Sequence, residues 1–385
     1  MLPNETLLDI FSHLPRDNRR AGTLRTEGKA LSLVCRSWFP AGQALLWSSI
    51  RISNSEVQSF TEHFNRYPHL AKLVQTLKIN FNSGATMDDM DPRAFARLPH
   101  LLSLCVKLRE FVAIGGMGRH LQPVLATIAH FENLHTVELI YAGQVDWTNE
   151  VARTFDRGFS KLSKFTFDGY ILNLLNNNTG RPVSQRHKLP VKELSMWWQN
   201  GEVGWELDRL AERLLSHFDT TTLLDVYLRG SAVTSDGFNW LSTCSNLHKL
   251  ELVLLQNQAY GLSRYLKVLP RFAALETFKI DMRFEEDYWD DFLPSPAPLS
   301  EFLASFPPSL RTFEAKKFLF TDLGSIPSRQ LSTTAPGPLP ARRFLAASTS
   351  DPRGGGEVVP LEIWADESGG TICWYRNVKE NGGDE

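Results

Sequence analysis

The densest group of chemically capable side chains lies between residues 285 and 291. Five carboxylates and two aromatic residues fill these seven positions: Glu285, Glu286, Asp287, Tyr288, Trp289, Asp290 and Asp291. Carboxylates at this density bind hard metal ions or serve in acid–base catalysis. No nearby histidine or second motif fixes a geometry, so the segment is interpreted as a solvated loop. Its acidic and aromatic character suits the recognition of a basic polypeptide segment.

Other motifs of enzyme chemistry are missing from the sequence. It contains no G-x-S-x-G, H-E-x-x-H or zinc-type cluster, and its ten histidines are scattered singly. The glycine-rich run at 115–118 does not complete a phosphate-loop or dinucleotide-binding spacing. We therefore expect no enzymatic activity, no metal and no cofactor. A hydrolase that uses the 285–291 cluster is kept as a third hypothesis.

Composition narrows the class of protein. The chain has 385 residues, 42% of them apolar, a formal net charge of −2 and a pI near 6.6. Nucleic-acid binding needs a basic footprint, which this charge does not provide. No apolar run predicts a membrane span, and the first residues lack the regions of a signal peptide. The four cysteines are far apart, which is typical of reduced thiols in a cytoplasmic or nuclear protein.

The elements that must position any site begin with three short helical patterns in the first 50 residues. The first places apolar side chains on one helix face, at Leu7, Ile10, Phe11 and Leu14. The second repeats that spacing at Leu31, Val34, Cys35 and Trp38, and the third carries Leu45, Leu46 and Trp47. A unit of about 50 residues is rarely stable alone. The segment is therefore interpreted as a docking module completed by a partner, or as a helical cap on a larger domain.

Residues 1–50 resemble an F-box, because several pieces of that motif occur in the right order. The pieces are Leu2-Pro3-x-Glu5, Leu14-Pro15, Leu31-Ser32-Leu33-Val34-Cys35-Arg36-Ser37-Trp38 and Leu45-Leu46-Trp47. The resemblance implies docking onto the Skp-type adaptor of a cullin-RING ubiquitin ligase. It assigns the adaptor contact to Leu2, Pro3, Leu8, Phe11, Leu33, Val34, Trp38, Leu46 and Trp47. A basic insertion at 16–29 departs from the family's pattern and would weaken adaptor binding if it folded over the docking face.

A second pattern, apolar-x-x-apolar-x-apolar, recurs nine times between residues 74 and 315. Its copies start at Val74, Leu108, Leu134, Leu162, Val191, Leu223, Leu247, Leu275 and Leu310. The last two apolar positions alternate with polar ones, as a strand with one buried face requires. Helix-like stretches fill the intervals, and Trp205 to Phe218 is the clearest of them. Such units resemble degenerate leucine-rich repeats, and the whole chain is similar to the expanded F-box families of fungi.

The predicted fold class is therefore α/β, with four segments along the chain. A small helical F-box module at 1–50 precedes an irregular leucine-rich-repeat-type solenoid at 51–320, which would bind the target. A disordered segment at 321–357 follows, and 358–385 forms a capping hairpin and tail. An ordinary α/β domain with chance matches to the repeat is the alternative.

The side chains that alternate with the buried positions of each strand supply the predicted target-binding surface. On four successive repeats they are Trp197, Tyr227, Arg229, Glu251, Lys279 and Asp281. Exposed aromatic and arginine side chains are common hot spots of protein interfaces. F-box proteins with such repeats resemble substrate receptors, which implies a non-enzymatic subunit that presents a target protein for ubiquitination and proteasomal degradation. A repeat-based scaffold outside the ligase is the alternative.

Overall fold

A computed structural model of the chain shows two compact units, Met1–Leu189 and Pro190–Glu385. The structure describes residues 39–81, 92–117, 120–142, 144–146, 154–155, 157–172, 188–199, 214–230, 233–255, 262–283, 305–316, 342–348, 359–365 and 372–376. None of the helices within these residues is long and apolar enough to cross a bilayer.

The first unit alternates short helices with parallel strands. Its helices are α1 (Phe39–Ser48), α2 (Val57–Arg66), α3 (Pro68–Ala71), α4 (Pro92–Leu104) and α5 (Leu121–Ile128). Its strands are β1 (Ser49–Ser53), β2 (Thr76–Asn80), β3 (Glu110–Ile114), β4 (Thr136–Ile140), β5 (Gln144–Asp146) and β6 (Lys164–Leu172). The order across the sheet is β1-β2-β3-β4-β6, with every pair parallel, and β5 pairs with β6.

The second unit continues the same alternation. Its strands are β7 (Glu193–Gln199), β8 (Asp225–Gly230), β9 (Lys249–Leu255), β10 (Thr277–Arg283), β11 (Thr312–Lys316), β12 (Arg342–Ser348), β13 (Val359–Ala365) and β14 (Ile372–Arg376). Helices α6 (Ser235–Leu241) and α7 (Leu262–Val268) precede β9 and β10 respectively. Strands β7 to β12 are parallel and adjacent in chain order, whereas β13 and β14 are antiparallel.

The recurring apolar positions form the core of each unit. All nine first positions of the sequence pattern, from Val74 to Leu310, are at most 1% exposed. The second positions align from strand to strand, so that Leu77, Phe111, Val137 and Phe165 follow one another in register. In the second unit Val226 aligns with Leu250, which aligns with Phe278. The repeat that the sequence predicts is thus confirmed as a ladder of stacked strands.

Backbone hydrogen bonds join each repeat to the next at the start of the strand. The carbonyl of Gln75 accepts from the amides of Arg109 and Glu110, at 2.7 and 3.0 Å. The same double acceptance recurs at the carbonyls of Arg109, His135, Lys192, Leu224, His248 and Glu276. At each of these strand starts one main-chain carbonyl therefore satisfies two main-chain amides of the next repeat.

Helices α2, α3, α5 and α7 lie within helix-like stretches of the sequence, whereas α4 and α6 were not predicted. The stretch from Val57 to Leu70 contains α2 and α3, and the stretch from Leu121 to Phe131 contains α5. Helix α2 buries Val57, Thr61 and Phe64 on one face. Most of the stretch from Trp205 to Phe218 lies outside the described residues, as do the two predicted F-box helices before residue 39.

The segment at 321–357 differs from its prediction. The sequence analysis expects it to lack structure throughout, but β12 lies within it and pairs with β11, so that Phe344 is the register partner of Phe313. The apolar run Phe344 to Ala347 was hidden by the surrounding Ser, Thr, Pro and Gly. Beyond it β13 and β14 form an antiparallel pair at the positions of the predicted hairpin, and β13 pairs with β12.

Candidate functional site

The candidate site is the outward face of the strands in the second unit. Successive side chains of a strand point to opposite faces of the sheet, and Val226, Leu228, Leu250 and Leu252 fill the core. The residues between them form two rows across β7 to β10. One row is Ser195, Tyr227, Glu251 and Lys279, and the other is Trp197, Arg229, Val253 and Asp281.

The structure brings together the six predicted target-binding residues in these two rows. Each of the six is half-buried, which leaves part of its side chain available to a partner. Val253, which the strand period also places in an outward position between Arg229 and Asp281, is buried at 3% exposure and is not among the six. An apolar residue in an outward position was its only sequence signal. The strand period explains why the six residues lie on the outward face of the sheet. Their role in binding a target remains a prediction.

Trp197 and Arg229 form a stacked pair at one end of their row. The Arg229 Cζ atom lies 4.2 Å from the centroid of the Trp197 ring, which is the geometry of a cation–π contact. The two residues are register partners on β7 and β8, so neighbouring strands hold the indole and the guanidinium against each other. Such a contact contributes about 0.5–1 kcal/mol where it is exposed and more where it is desolvated.

In the first unit, charged residues on the outward face form ion pairs with one another. Lys78 Nζ lies 3.2 Å from Glu110 Oε1, and Lys164 Nζ lies 2.7 Å from Glu138 Oε1. Both pairs run diagonally between two adjacent strands. Glu110 lies two positions before Val112, the register partner of Lys78, and Lys164 lies two positions before Thr166, the register partner of Glu138. Glu110 also accepts a hydrogen bond from Thr76 Oγ1 at 3.1 Å. These charges are neutralised within the protein.

Arg229 and Glu251 occupy that same diagonal in the second unit. Glu251 on β9 is the register partner of Tyr227, two positions before Arg229. Among the residues that the structure describes, neither Arg229 nor Glu251 has an ion pair, and the buried Nε of Arg229 has no hydrogen-bond acceptor. Asp281 Oδ1 is likewise buried without a donor in this part of the chain. Within the described residues of the second unit, Arg229, Glu251 and Asp281 therefore have no neutralising ion pair.

The predicted adaptor-binding residues fall on both sides of the first described residue. Seven of them, Leu2, Pro3, Leu8, Phe11, Leu33, Val34 and Trp38, lie outside the described residues. Leu46 and Trp47 lie in α1 and are half-buried. Trp47 stacks on His63 of α2 with ring centroids 5.4 Å apart, meets Phe64 edge-on and donates a hydrogen bond from Nε1 to Gln43. The structure thus shows Trp47 as a packing residue of the first repeat.

Trp47 also begins a tenth copy of the repeat that the sequence analysis did not count. Trp47, Ile50 and Ile52 match the apolar-x-x-apolar-x-apolar pattern. Ile50 and Ile52 are buried on β1 and align with Leu77 and Ile79 of β2. The pattern was visible in the sequence, but Trp47 had been assigned to the F-box-like motif.

The remaining candidate positions hold no described site. The 285–291 cluster lies outside the described residues, and no group of metal-ligating side chains is found within them. Gly115 ends β3 with φ 106° and donates to the Ile140 carbonyl, so part of the glycine-rich run makes a turn. Cys105 and Cys244 are buried as free thiols, and burial raises the pKa of each to about 12.

The strands and registers define the class of protein: each unit is a mixed α/β repeat structure, in line with the leucine-rich-repeat-like arrangement that the sequence predicts. The chain matches no protein-family model and no curated protein. A chain from the crystal structure of the yeast Rad7 and Elc1 complex aligns with 13% identity over 84% of this chain and 89% of its own, with a TM-score of 0.33. That score is too low to carry an argument about fold or function.

Proposed function

We propose that this chain is the substrate-recognition subunit of a Skp-cullin-F-box ubiquitin ligase. Its N-terminal segment would bind the Skp-type adaptor and, through it, the cullin, while its repeats bind a target protein. The chain would carry no catalysis or cofactor of its own, because transfer of ubiquitin belongs to other subunits. It would act in the cytoplasm or nucleus, as its scattered cysteines suggest.

One observation carries the target-binding half of this proposal. The outward strand face of the second unit presents Trp197, Tyr227 and Arg229 side by side, while the opposite face fills the core. Tryptophan, tyrosine and arginine dominate the energetics of protein interfaces. A rigid strand ladder presents them with little loss of conformational entropy on binding.

The adaptor-binding half is supported by the F-box-like string alone. Within that string Trp38 is the residue to change, because Trp47 already packs on His63 and Phe64. Loss of Trp47 would also destabilise the first repeat, so a loss of adaptor binding would have two explanations. Tyr67, an aromatic residue 41% exposed outside the F-box-like segment, offers a matched control.

The test is co-expression of the chain with a Skp-type adaptor, followed by size-exclusion chromatography with light scattering. We expect a one-to-one complex that Trp38→Ala abolishes and Tyr67→Ala preserves. A folded chain that stays monomeric beside the adaptor would contradict the proposal, as would an unchanged complex in the Trp38→Ala variant.

A second function, a repeat-based scaffold outside the ligase, is favoured by the packing of Trp47. This residue belongs to the F-box-like segment yet serves the first repeat, as expected if the early helices cap the ladder. The scaffold predicts no adaptor complex but retained binding of a protein partner through the outward strand face. The same co-expression experiment therefore separates the two functions.

A further inference from the structure

We propose that Arg229 is the anchor for an acidic side chain of the target, so that the second unit selects polypeptide segments with a central carboxylate. The inference deepens the target-binding half of the proposed function and rests on it. It is carried by the juxtaposition of Trp197, Arg229 and Glu251 on the outward face of β7, β8 and β9.

The first step is the orientation of the guanidinium. Stacking on the Trp197 ring at 4.2 Å confines Arg229 to one side of its strand. An arginine held by a ring loses less conformational freedom when it binds a partner than a free one does. The Nε atom of Arg229 is buried, so hydrogen bonding to a partner falls to the terminal Nη groups, and two N–H groups of a guanidinium match a carboxylate in bidentate geometry.

The second step is the lack of an internal carboxylate. In the first unit the diagonal neighbours Lys78 and Glu110 pair at 3.2 Å, and Lys164 and Glu138 pair at 2.7 Å. Glu251 holds that diagonal position beside Arg229, but no ion pair joins the two among the described residues. Side chains at this diagonal are within reach of each other. Among the described residues Arg229 therefore contacts the Trp197 ring and forms no ion pair with Glu251.

The third step is the surroundings that a bound carboxylate would meet. The side chains nearest Arg229 on its face are Trp197 on one neighbouring strand, Tyr227 on its own strand, and Glu251 and Val253 on the other. Val253 is buried, and the indole and phenol rings limit access of water. An ion pair gains strength where water is excluded. A carboxylate of the target that approaches Arg229 from the Trp197 side would neutralise the charge of the guanidinium, because Glu251 forms no ion pair with Arg229 among the described residues.

The chemistry of the partner follows from these contacts. The face is a row of half-buried aromatic and charged residues about 4.8 Å apart on adjacent strands, so one polypeptide segment that crosses the strands can contact several of them. Glu251 and Asp281, both without ion pairs in the described residues, would disfavour further acidic side chains beyond the one at Arg229. We therefore expect segments with a single central acidic residue to bind better than uniformly acidic ones.

The test uses the full-length chain, fluorescently labelled at its N-terminus, on an array of synthetic 12-residue peptides. Each peptide has a central Glu, Gln, Lys or phosphoserine, and its other positions are varied among uncharged residues. We expect Glu-centred peptides to retain at least tenfold more protein than their Gln-centred matches. Arg229→Glu should remove that preference and favour Lys-centred peptides, whereas Lys249→Glu, on the same face in β9, should leave it unchanged.

Arg229→Gln guards against misfolding of the charge-reversed variant, because it removes the charge at similar side-chain length. It should lose the Glu preference while its midpoint of thermal unfolding falls by no more than about 4 °C, the shift expected for the loss of one cation–π contact. Equal binding of Glu- and Gln-centred peptides by the parent would overturn the inference, as would a Glu preference that survives in both Arg229 variants. A tenfold preference for phosphoserine over glutamate would overturn the choice of a carboxylate as the bound anion.

The two proposals fail separately. A chain that forms the adaptor complex but ignores the charge of the central peptide residue retains the ligase role and loses the Arg229 anchor. A chain that forms no adaptor complex but prefers Glu-centred peptides through Arg229 keeps the anchor and loses the ligase role.

Discussion

Cys105 and Cys244 occupy the same place in two different repeats. Each cysteine lies three residues before the first buried leucine of the next repeat. Its backbone carbonyl accepts a hydrogen bond from the amide of that leucine. Burial raises the pKa of both thiols to about 12, and the Asp219 carboxylate adds to the shift at Cys244. Because the thiolate is the reactive form, these cysteines should act as small core residues with no nucleophilic role.

We expect iodoacetamide to leave Cys105 and Cys244 unmodified in the folded chain at pH 9. The same treatment in 8 M urea should label both within minutes, since an unfolded thiol is then about half ionised. Peptide-resolved mass spectrometry measures the two sites separately. Since folding raises their pKa, their contribution to stability is complete below pH 9 and is lost as the pH rises toward 12. Rapid labelling of the native chain would contradict their burial.

At the scale of elements, the turn that leads into β6 has the least room for change. Gly158 precedes Phe159, whose φ is 61° and whose amide donates to the Ala129 carbonyl at 2.8 Å. A Cβ atom added at Gly158 would lie 2.4 Å from the Cβ of Ala129 and 2.8 Å from its carbonyl oxygen. The C-terminal end of α5 and the segment that precedes β6 are therefore in direct contact.

Gly158→Ala should lower the free energy of unfolding by about 1–3 kcal/mol, because backbone must move to relieve the contact. Chemical denaturation of the parent and the variant measures the change. Ala129→Gly in the same background removes the Cβ contact but leaves the carbonyl contact, so it should recover only part of the loss. A Gly158→Ala protein as stable as the parent would show that the turn relaxes freely.

The same scale shows how much of the fold the sequence could predict. The triads from Val74 to Leu310 were recognisable because burial on one face imposes a fixed alternation on every strand. The copy at Trp47, Ile50 and Ile52 was missed since its residues also fit an F-box. Strand β12 was missed because composition averaged over a Pro- and Gly-rich segment conceals a run of only four apolar residues.

The sequence predicts which residues lie on the outward face of the candidate site, but it does not predict which of them contact each other. Alternation alone places Arg229 and Asp281 on the outward face, in register with Trp197. Whether Arg229 meets Glu251 or Trp197 depends on a choice of side-chain conformation that spacing does not determine. The burial of Val253 was indicated only by its apolar side chain, because alternation places it on the outward face.

At the scale of the whole molecule, each repeat of the ladder depends on its immediate neighbours. Leu250 of β9 is fully buried and aligns with Val226 on one side and Phe278 on the other. Repeat proteins of this kind distribute stability through nearest-neighbour contacts. Damage at one repeat should therefore spread to the adjacent repeats first.

Leu250→Ala should cost about 2–5 kcal/mol, from lost apolar burial and the cavity left behind. Hydrogen exchange followed by mass spectrometry should show the greatest loss of protection in β8, β9 and β10. Strands β2 to β4 of the first unit should keep their protection. An equal increase throughout the chain would instead show that it unfolds as one cooperative block. Exposed Lys249→Ala, one position earlier, is the matched control and should change neither measurement.

The paired amides that share one carbonyl at each strand start have a consequence for the evolution of this chain. Because main-chain atoms set the step from one repeat to the next, the interval between steps is free to vary, here from 24 residues between Leu224 and His248 to 35 between Glu276 and Arg311. The apolar triad is the part of the repeat that every copy shares. Insertions, deletions and surface substitutions at most positions outside it can accumulate while the ladder persists, so related chains can acquire different outward surfaces and lose recognisable similarity in sequence.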